Sequence, residues 1–149
     1  MSPSVWGPNV WIFFHTIVEK LKDDKFEDFA PQIFSLIRKI SSNLPCPDCS
    51  AHASRFLSGV NFSHIKTKED FRKLIYIFHN SVNRRKDKPL YNYSDMKTYS
   101  NNNVIKTYND FISVFATKGN MKLLADNFQR KILITELKRW LLKNISIFS

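Results

Sequence analysis

The chain has 149 residues, 43% of them hydrophobic and 14% aromatic, enough for one domain with a real core. Its formal charge of +10 suits phosphate-bearing partners, although a lysine-rich surface also serves solubility. No apolar run approaches the ~20 residues that cross a bilayer. The start "MSPSVWGPNVWIFFHTI" lacks the basic region of a secretory signal, so the expectation is a soluble protein made in the cytosol.

With only 3 glycines the chain has few turn points, which favours helices. Residues 6–22 carry Val10, Trp11, Phe14, Ile17, Val18 and Leu21 at three- and four-residue spacing, with Pro8 suited to a first helical turn. Residues 25–44 continue with Phe26, Phe29, Ile33, Ile37 and Ile40 on one face. A short helix over 47–57 opens at Pro47 and closes near Gly59. The stretch 66–86 has an acidic first turn, Glu69 and Asp70, and a basic last turn, which suits the helix dipole. Ser94 is a candidate cap for another short helix. Residues 104–118 read as helix or strand, with helix favoured. Residues 121–145 predict a long amphipathic helix with Leu124, Phe128, Ile132, Leu137, Trp140 and Leu141. Its basic side carries Arg130, Lys131, Lys138, Arg139 and Lys143, interrupted by Asp126 and Glu136. The expected fold is all-α, with five to seven helices.

Both cysteines lie in "NLPCPDCSAHASRF", as Cys46 and Cys49. A disulfide across so short a loop constrains the unfolded chain little, and a thioredoxin-like role needs a βαβ setting that this chain lacks. Cysteines three apart at a helix start are close enough for a disulfide to form with small adjustment. A helix N-terminus favours anions, which makes Cys46 a candidate exchange nucleophile. The alternative is zinc: "CPDCSAH" is C-x2-C-x2-H, so Cys46, Cys49 and His52 with His64 or His79 form a possible tetrahedral set. Elsewhere Trp11 and His15, and His79 and Asn83, are each four apart. Taken singly, these residues are ordinary core or helix-packing side chains. The cluster "NRRKDK" permits nucleic-acid binding, but no nucleic-acid motif accompanies it, and no such partner is expected.

Taken together, W-G-x-x-x-W-x-x-x-H (Trp6–His15), L-P-C-x-x-C-x-x-H-A (Leu44–Ala53) and H-N-x-V-N-x-x-x-x-K-P-x-aromatic (His79–Tyr91) resemble the ERV/ALR flavin-dependent sulfhydryl oxidases. "LPCPDCSAHA" is most similar to the versions in large cytoplasmic DNA viruses. The resemblance implies a four-helix bundle holding FAD plus a fifth short helix, over residues 1–118. Residues 119–149 would then be a C-terminal helical extension, packed on the core or a dimer partner, without a catalytic residue.

The same resemblance implies that Cys46 exchanges with substrate thiols and that Cys49 passes the electrons to FAD. Oxygen then takes them as hydrogen peroxide. Trp11 and His15 would contact the flavin side, with Gly7 allowing close approach. His79 and Asn83 would face adenine and ribose, with Asn80 and Val82 of the same motif beside them. Lys88 would approach the diphosphate, Tyr91 would pack on the cofactor and His52 would line the pocket. Many members have arginine where Pro8 stands, so one cofactor contact is missing. A second cysteine pair is absent too, so the substrate protein must reach Cys46 directly. A small C-x-x-C relay protein is the expected partner, in the cytoplasm of an infected host cell, with packaging in a particle left open. A homodimer is expected because the apolar surface of "FFHTIVEKL" and "FAPQIFSLIRKI" exceeds one narrow stripe.

Overall fold

The apolar spacing along the chain does produce helices. The computed structural model describes residues 3–116 and 124–149, with side chains from 128 onward in the second segment. Among them are six α-helices: α1 (Pro3–Glu19), α2 (Phe26–Ser41), α3 (Pro47–Ser58), α4 (Lys68–Arg85), α5 (Val104–Phe115) and α6 (Leu124–Lys143). The all-α expectation is borne out.

α1 is the central helix. It packs chiefly against α5, and also against α4, α2 and the 3-10 segment Tyr93–Asn101. Neighbours on several sides explain its wide apolar surface: Trp6, Val10, Phe13, Phe14, Ile17 and Val18 are all buried. Pro8 lies inside α1 and not in its first turn, because the helix begins at Pro3.

Local signals set the other boundaries. Thr67 and Asp70 form a reciprocal capping box that starts α4. The 3-10 segment is capped by Asn92, whose side chain accepts the Ser94 N–H, so Ser94 is not the cap. Asn103 caps α5 through the Lys106 N–H at 2.9 Å. Buried Val104, Tyr108, Phe111 and Phe115 then follow at helical spacing, which decides the helix-or-strand ambiguity. Phe111 stacks on Phe13 at 4.9 Å and on Phe115 at 4.8 Å, joining α5 to α1.

α6 lies on α2. Trp140 Nε1 donates to Gln32 Oε1 at 2.9 Å, and Glu136 pairs with Lys39 at 3.6 Å. Leu133, Leu137 and Leu141 are buried. The inward stripe differs from the expected one. Phe128 and Ile132 are 63% and 43% exposed, while Leu133 takes the inner position. Arg130, expected on the basic outer side, is buried. The spacing 133–137–141 turns the helix so that 128 and 132 point away. The side chains of Leu124 and Asp126, and the boundary at 118/119, lie outside the described residues.

Beyond α6 the chain returns to the α1–α2 connection. Leu21 bridges Phe148, Lys22 N donates to Ile147 O at 2.9 Å and Ser149 N donates to Lys20 O at 2.8 Å. Ile147 and Phe148 are buried there. Much of the apolar surface on α1 and α2 is therefore covered within one chain, Ile33, Ile37 and Ile40 included. The surplus apolar surface alone no longer argues for a second subunit.

Candidate active site

Pro47 opens α3, and Cys46 stands before it as the N-cap. The Cys46 backbone is extended, and its Sγ accepts the Cys49 N–H at 3.3 Å. The sulfur thus takes the place that a serine or aspartate oxygen usually fills. Ser50 Oγ accepts the Leu44 N–H at 2.8 Å and holds the entry to this turn. Both cysteines are free thiols and half-buried.

Cys49 lines a cleft bordered by α1, α3 and α4, whereas Cys46 is not part of its lining. The cleft has an inner volume of about 250 Å³, and about 910 Å³ with its open mouth included. Trp11, Phe14, Phe78 and Val82 give it an apolar, largely aromatic wall. Gly7 also lines it, and a Cβ there would meet no protein atom within 4 Å, so the α1 backbone faces open space. Burial pushes the Cys49 thiol up, its hydrogen bond with Cys46 adds to this, and the charge of Lys86 opposes both.

Three buried polar atoms of the lining find no hydrogen-bond partner among the described residues: Trp6 Nε1, Ser41 Oγ and His52 Nε2. Such a gap costs about 1–3 kcal/mol unless a ligand or water fills it. Burial holds His52 below the usual histidine range, and the charges of Arg85 and Arg55 lower it further. Arg85, Lys86 and Lys88 line the cleft as well. The whole is an aromatic slot with unmet polar groups and a cationic edge.

Two lining residues, Trp11 and His79, belong to an aromatic stack. Trp11 and His79 are parallel, with ring centroids 4.1 Å apart. His15 Nε2 and His79 Nδ1 are 2.9 Å apart. Tyr99 stacks on His15 at 4.5 Å, and Tyr91 on His79 at 5.3 Å. The structure brings two pairs together: Trp11 and His15 of the first motif meet His79 of the third directly. The reason is that α1 and α4 pack side by side, so positions 11, 15 and 79 share one contact.

Of the other residues singled out from the sequence, Gly7, His52, Val82, Asn83 and Lys88 line the cleft. His15, Asn80 and Tyr91 do not. Asn80 clamps the following loop, donating to Tyr91 O at 3.1 Å and accepting the Tyr91 N–H at 2.6 Å. Asn83 donates to Pro89 O at 3.3 Å. Zinc binding is not supported. No three His, Cys, Asp or Glu side chains converge to hold a metal ion among the described residues. His79 is engaged with His15, and Cys46 is held in its cap.

Trp6, Ser41, Arg85 and Lys86 were missed as site residues. Trp6 stands in the first motif and was legible. Ser41 carries no sequence signal, because only the crossing of helices makes it part of the wall.

The histidine pair predicts a pH dependence. Burial lowers His15 to about 3, helped by the charge of His79. Burial lowers His79 to about 4, helped by Lys88. In the unfolded chain both titrate near ~6.5, so between the two values the unfolded state binds more protons. The stability these groups contribute is present above the unfolded value and is lost as pH falls through the folded values. The thermal midpoint should fall from pH 7 towards pH 4.5; a flat profile over that window would rule this out.

The sequence model of the Erv1 / Alr family matches residues 8–104. An FAD-linked sulfhydryl oxidase of African swine fever virus (a Kenyan pig isolate) is 28% identical over 116 residues, 75% of this chain and 97% of that one. A protein of Invertebrate iridescent virus 6, named provisionally as an FAD-linked sulfhydryl oxidase, is 29% identical over 96 residues, 60% of this chain and 86% of that one. A vaccinia virus (strain Western Reserve) protein with a similar provisional name is 26% identical over 92 residues, 61% and 90% of the two chains. No solved structure gives a significant match. The matched span takes in Cys49, His52 and His79 of the cleft and about two-thirds of the chain, and on that ground this protein belongs to the Erv1 / Alr family.

Proposed function

We propose that this chain is an FAD-linked sulfhydryl oxidase that forms disulfides in partner proteins. The observation that carries the reading is the split of the cysteine pair: Cys49 lines the aromatic cleft while Cys46 caps α3 outside it. The residues present fit FAD. The cleft is lined by aromatic side chains, three of its buried polar atoms lack partners among the described residues, and the exposed Arg85 and Lys88 give its edge positive charge. Gly7, Trp11, His52, His79, Val82, Asn83 and Lys88 would hold it, with Trp6 and Ser41 added. His15, Asn80 and Tyr91 support them by holding the His79 ring and the loop after α4. FAD, when bound, supplies two-electron chemistry between a dithiol and oxygen, with hydrogen peroxide as product.

The protein's own steps are thiol–disulfide exchange. A partner thiolate attacks Cys46 Sγ of the Cys46–Cys49 disulfide. A partner–Cys46 bond forms, the Cys46–Cys49 bond breaks, and Cys49 leaves as the thiolate inside the cleft. A second partner thiolate then attacks the partner sulfur, and Cys46 leaves. The partner has lost two electrons, and the pair in this chain has gained them. With both cysteines at one helix start, the partner must present its thiols to Cys46 itself. A small C-x-x-C relay protein suits that demand.

The rest of the reading is structural. No helix among the described residues is long and apolar enough to cross a membrane. Action in the cytoplasm of an infected cell accords with the viral relatives. Residues 1–118 act as the oxidase unit and 119–149 as an appended helical cover. A homodimer would have to bind through a surface that α6 leaves open, such as the exposed Phe128 and Ile132 side; a monomer mass in sedimentation at micromolar concentration ends that part.

The test is direct. The purified protein should be yellow, release one FAD per chain on denaturation, and consume oxygen with dithiothreitol. A colourless protein after purification in the presence of FAD overturns the reading. Trp6→Phe keeps an aromatic ring but removes the Nε1 donor with part of the indole, so it should weaken FAD retention by about tenfold or more. Unchanged retention would show that this orphaned donor is not a cofactor contact.

A further inference from the structure

The end of α4 brings four cations together, Arg84, Arg85, Lys86 and Lys88. Three are exposed, and only Lys86 is half-buried. Its position is set by the backbone. Lys86 N–H closes α4 on Val82 O at 3.1 Å, Asp87 adopts a left-handed φ of 59°, and Lys88 N–H returns to Asn83 O at 2.8 Å. That reversal leaves Lys86 half-buried on the cleft lining with Cys49; Arg85 and Lys88 line the cleft too but are exposed, and Arg84 is not part of the lining. Lys86 makes no ion pair with a carboxylate among the described residues.

We infer that Lys86 is the counter-cation of Cys49, holding its sulfur as the thiolate once the pair is reduced and the proton has gone to solvent. This rests on the proposed oxidase reading and names a residue for its inner cysteine. The balance of neighbours supports it. On α3, Cys46 disfavours the Cys49 thiolate, Asp48 precedes it in the chain and His52 is held below the usual histidine range. From α2 the cleft receives the uncharged Ser41, and from α1 the indoles of Trp6 and Trp11. α4 brings a neutral His79 and the cations Arg85 and Lys86, and Lys88 follows in the loop. Among these, Lys86 is the group whose positive charge favours the Cys49 thiolate. Its partial burial matters, because a shielded charge acts more strongly on its neighbour than a solvated one.

The experiment uses the full-length protein carrying Cys46→Ser, so that Cys49 is the single thiol. Its titration is read from the pH dependence of iodoacetamide alkylation and, where flavin is bound, from long-wavelength thiolate absorbance. Lys86→Met should raise the midpoint by about one pH unit or more, an approximately tenfold loss of thiolate at pH below both midpoints. Lys86→Arg should restore most of it, and FAD content should stay level. An unmoved midpoint in Lys86→Met overturns the inference. So does loss of flavin with an unmoved midpoint, which would make Lys86 a phosphate ligand. A protein that never binds flavin defeats the oxidase reading, yet the alkylation titration still decides Lys86.

Discussion

Cys49→Ser should abolish thiol-dependent oxygen consumption, by at least about a thousandfold, while FAD stays bound. The reason is position. Cys49 is the cysteine that lines the cleft, and its loss leaves no sulfur there to deliver electrons. Flavin reduction by dithiothreitol should be lost with it. Cys46→Ser should also stop turnover of protein substrates, but by a different route. It removes the sulfur outside the cleft and leaves Cys49 as an unpaired thiolate, visible as a long-wavelength absorbance band. Stopped-flow spectra of the two variants separate the roles. If Cys49→Ser produced the band and Cys46→Ser did not, the assignment would be reversed.

The second large effect is expected in α6. Leu137 is 1% exposed and lies in the middle of the stripe Leu133–Leu137–Leu141 that faces the core. Leu137→Ala should cost about 2–5 kcal/mol in urea unfolding, with the flavin spectrum and the cysteine chemistry retained. A cost below about 1 kcal/mol would mean that α6 is only loosely docked. Truncation after residue 118 is harsher. It removes five buried apolar side chains, Leu133, Leu137, Leu141, Ile147 and Phe148, each worth roughly 1.5–3 kcal/mol before entropy is subtracted. The sum rivals the whole stability of a domain this size, so the product should be poorly soluble or marginally folded. A fully stable truncated protein that had lost binding to anionic liposomes would point instead to a membrane role for the exposed Phe128 and Ile132 side.

The helices were legible because their signals are local. Apolar spacing in α2, α4 and α5, and the proline that opens α3, act within one or two turns of chain. The Thr67–Asp70 capping box was equally local, but the reading of residues 66–86 passed over it in favour of the acidic first turn. The face of α6 was misread because its sequence offers apolar residues on two sides. Phe128 and Ile132 compete with Leu133 there, and only docking against α2 selects between them.

Local sequence was enough for the helical class, for the placing of Cys46 and Cys49 at one helix start, for the assignment of Cys49 to the cofactor side by resemblance, and for the three motifs that mark the family. Each depends on residues that are neighbours in the chain, where covalent geometry leaves little freedom. Only the packed helices reveal that Trp11 stacks on His79, that Ser41 and Lys86 join the wall, and that α6 covers α2. Those facts depend on how helices far apart in sequence cross. Burial energy summed over the whole core sets that crossing, and no short stretch of residues carries it.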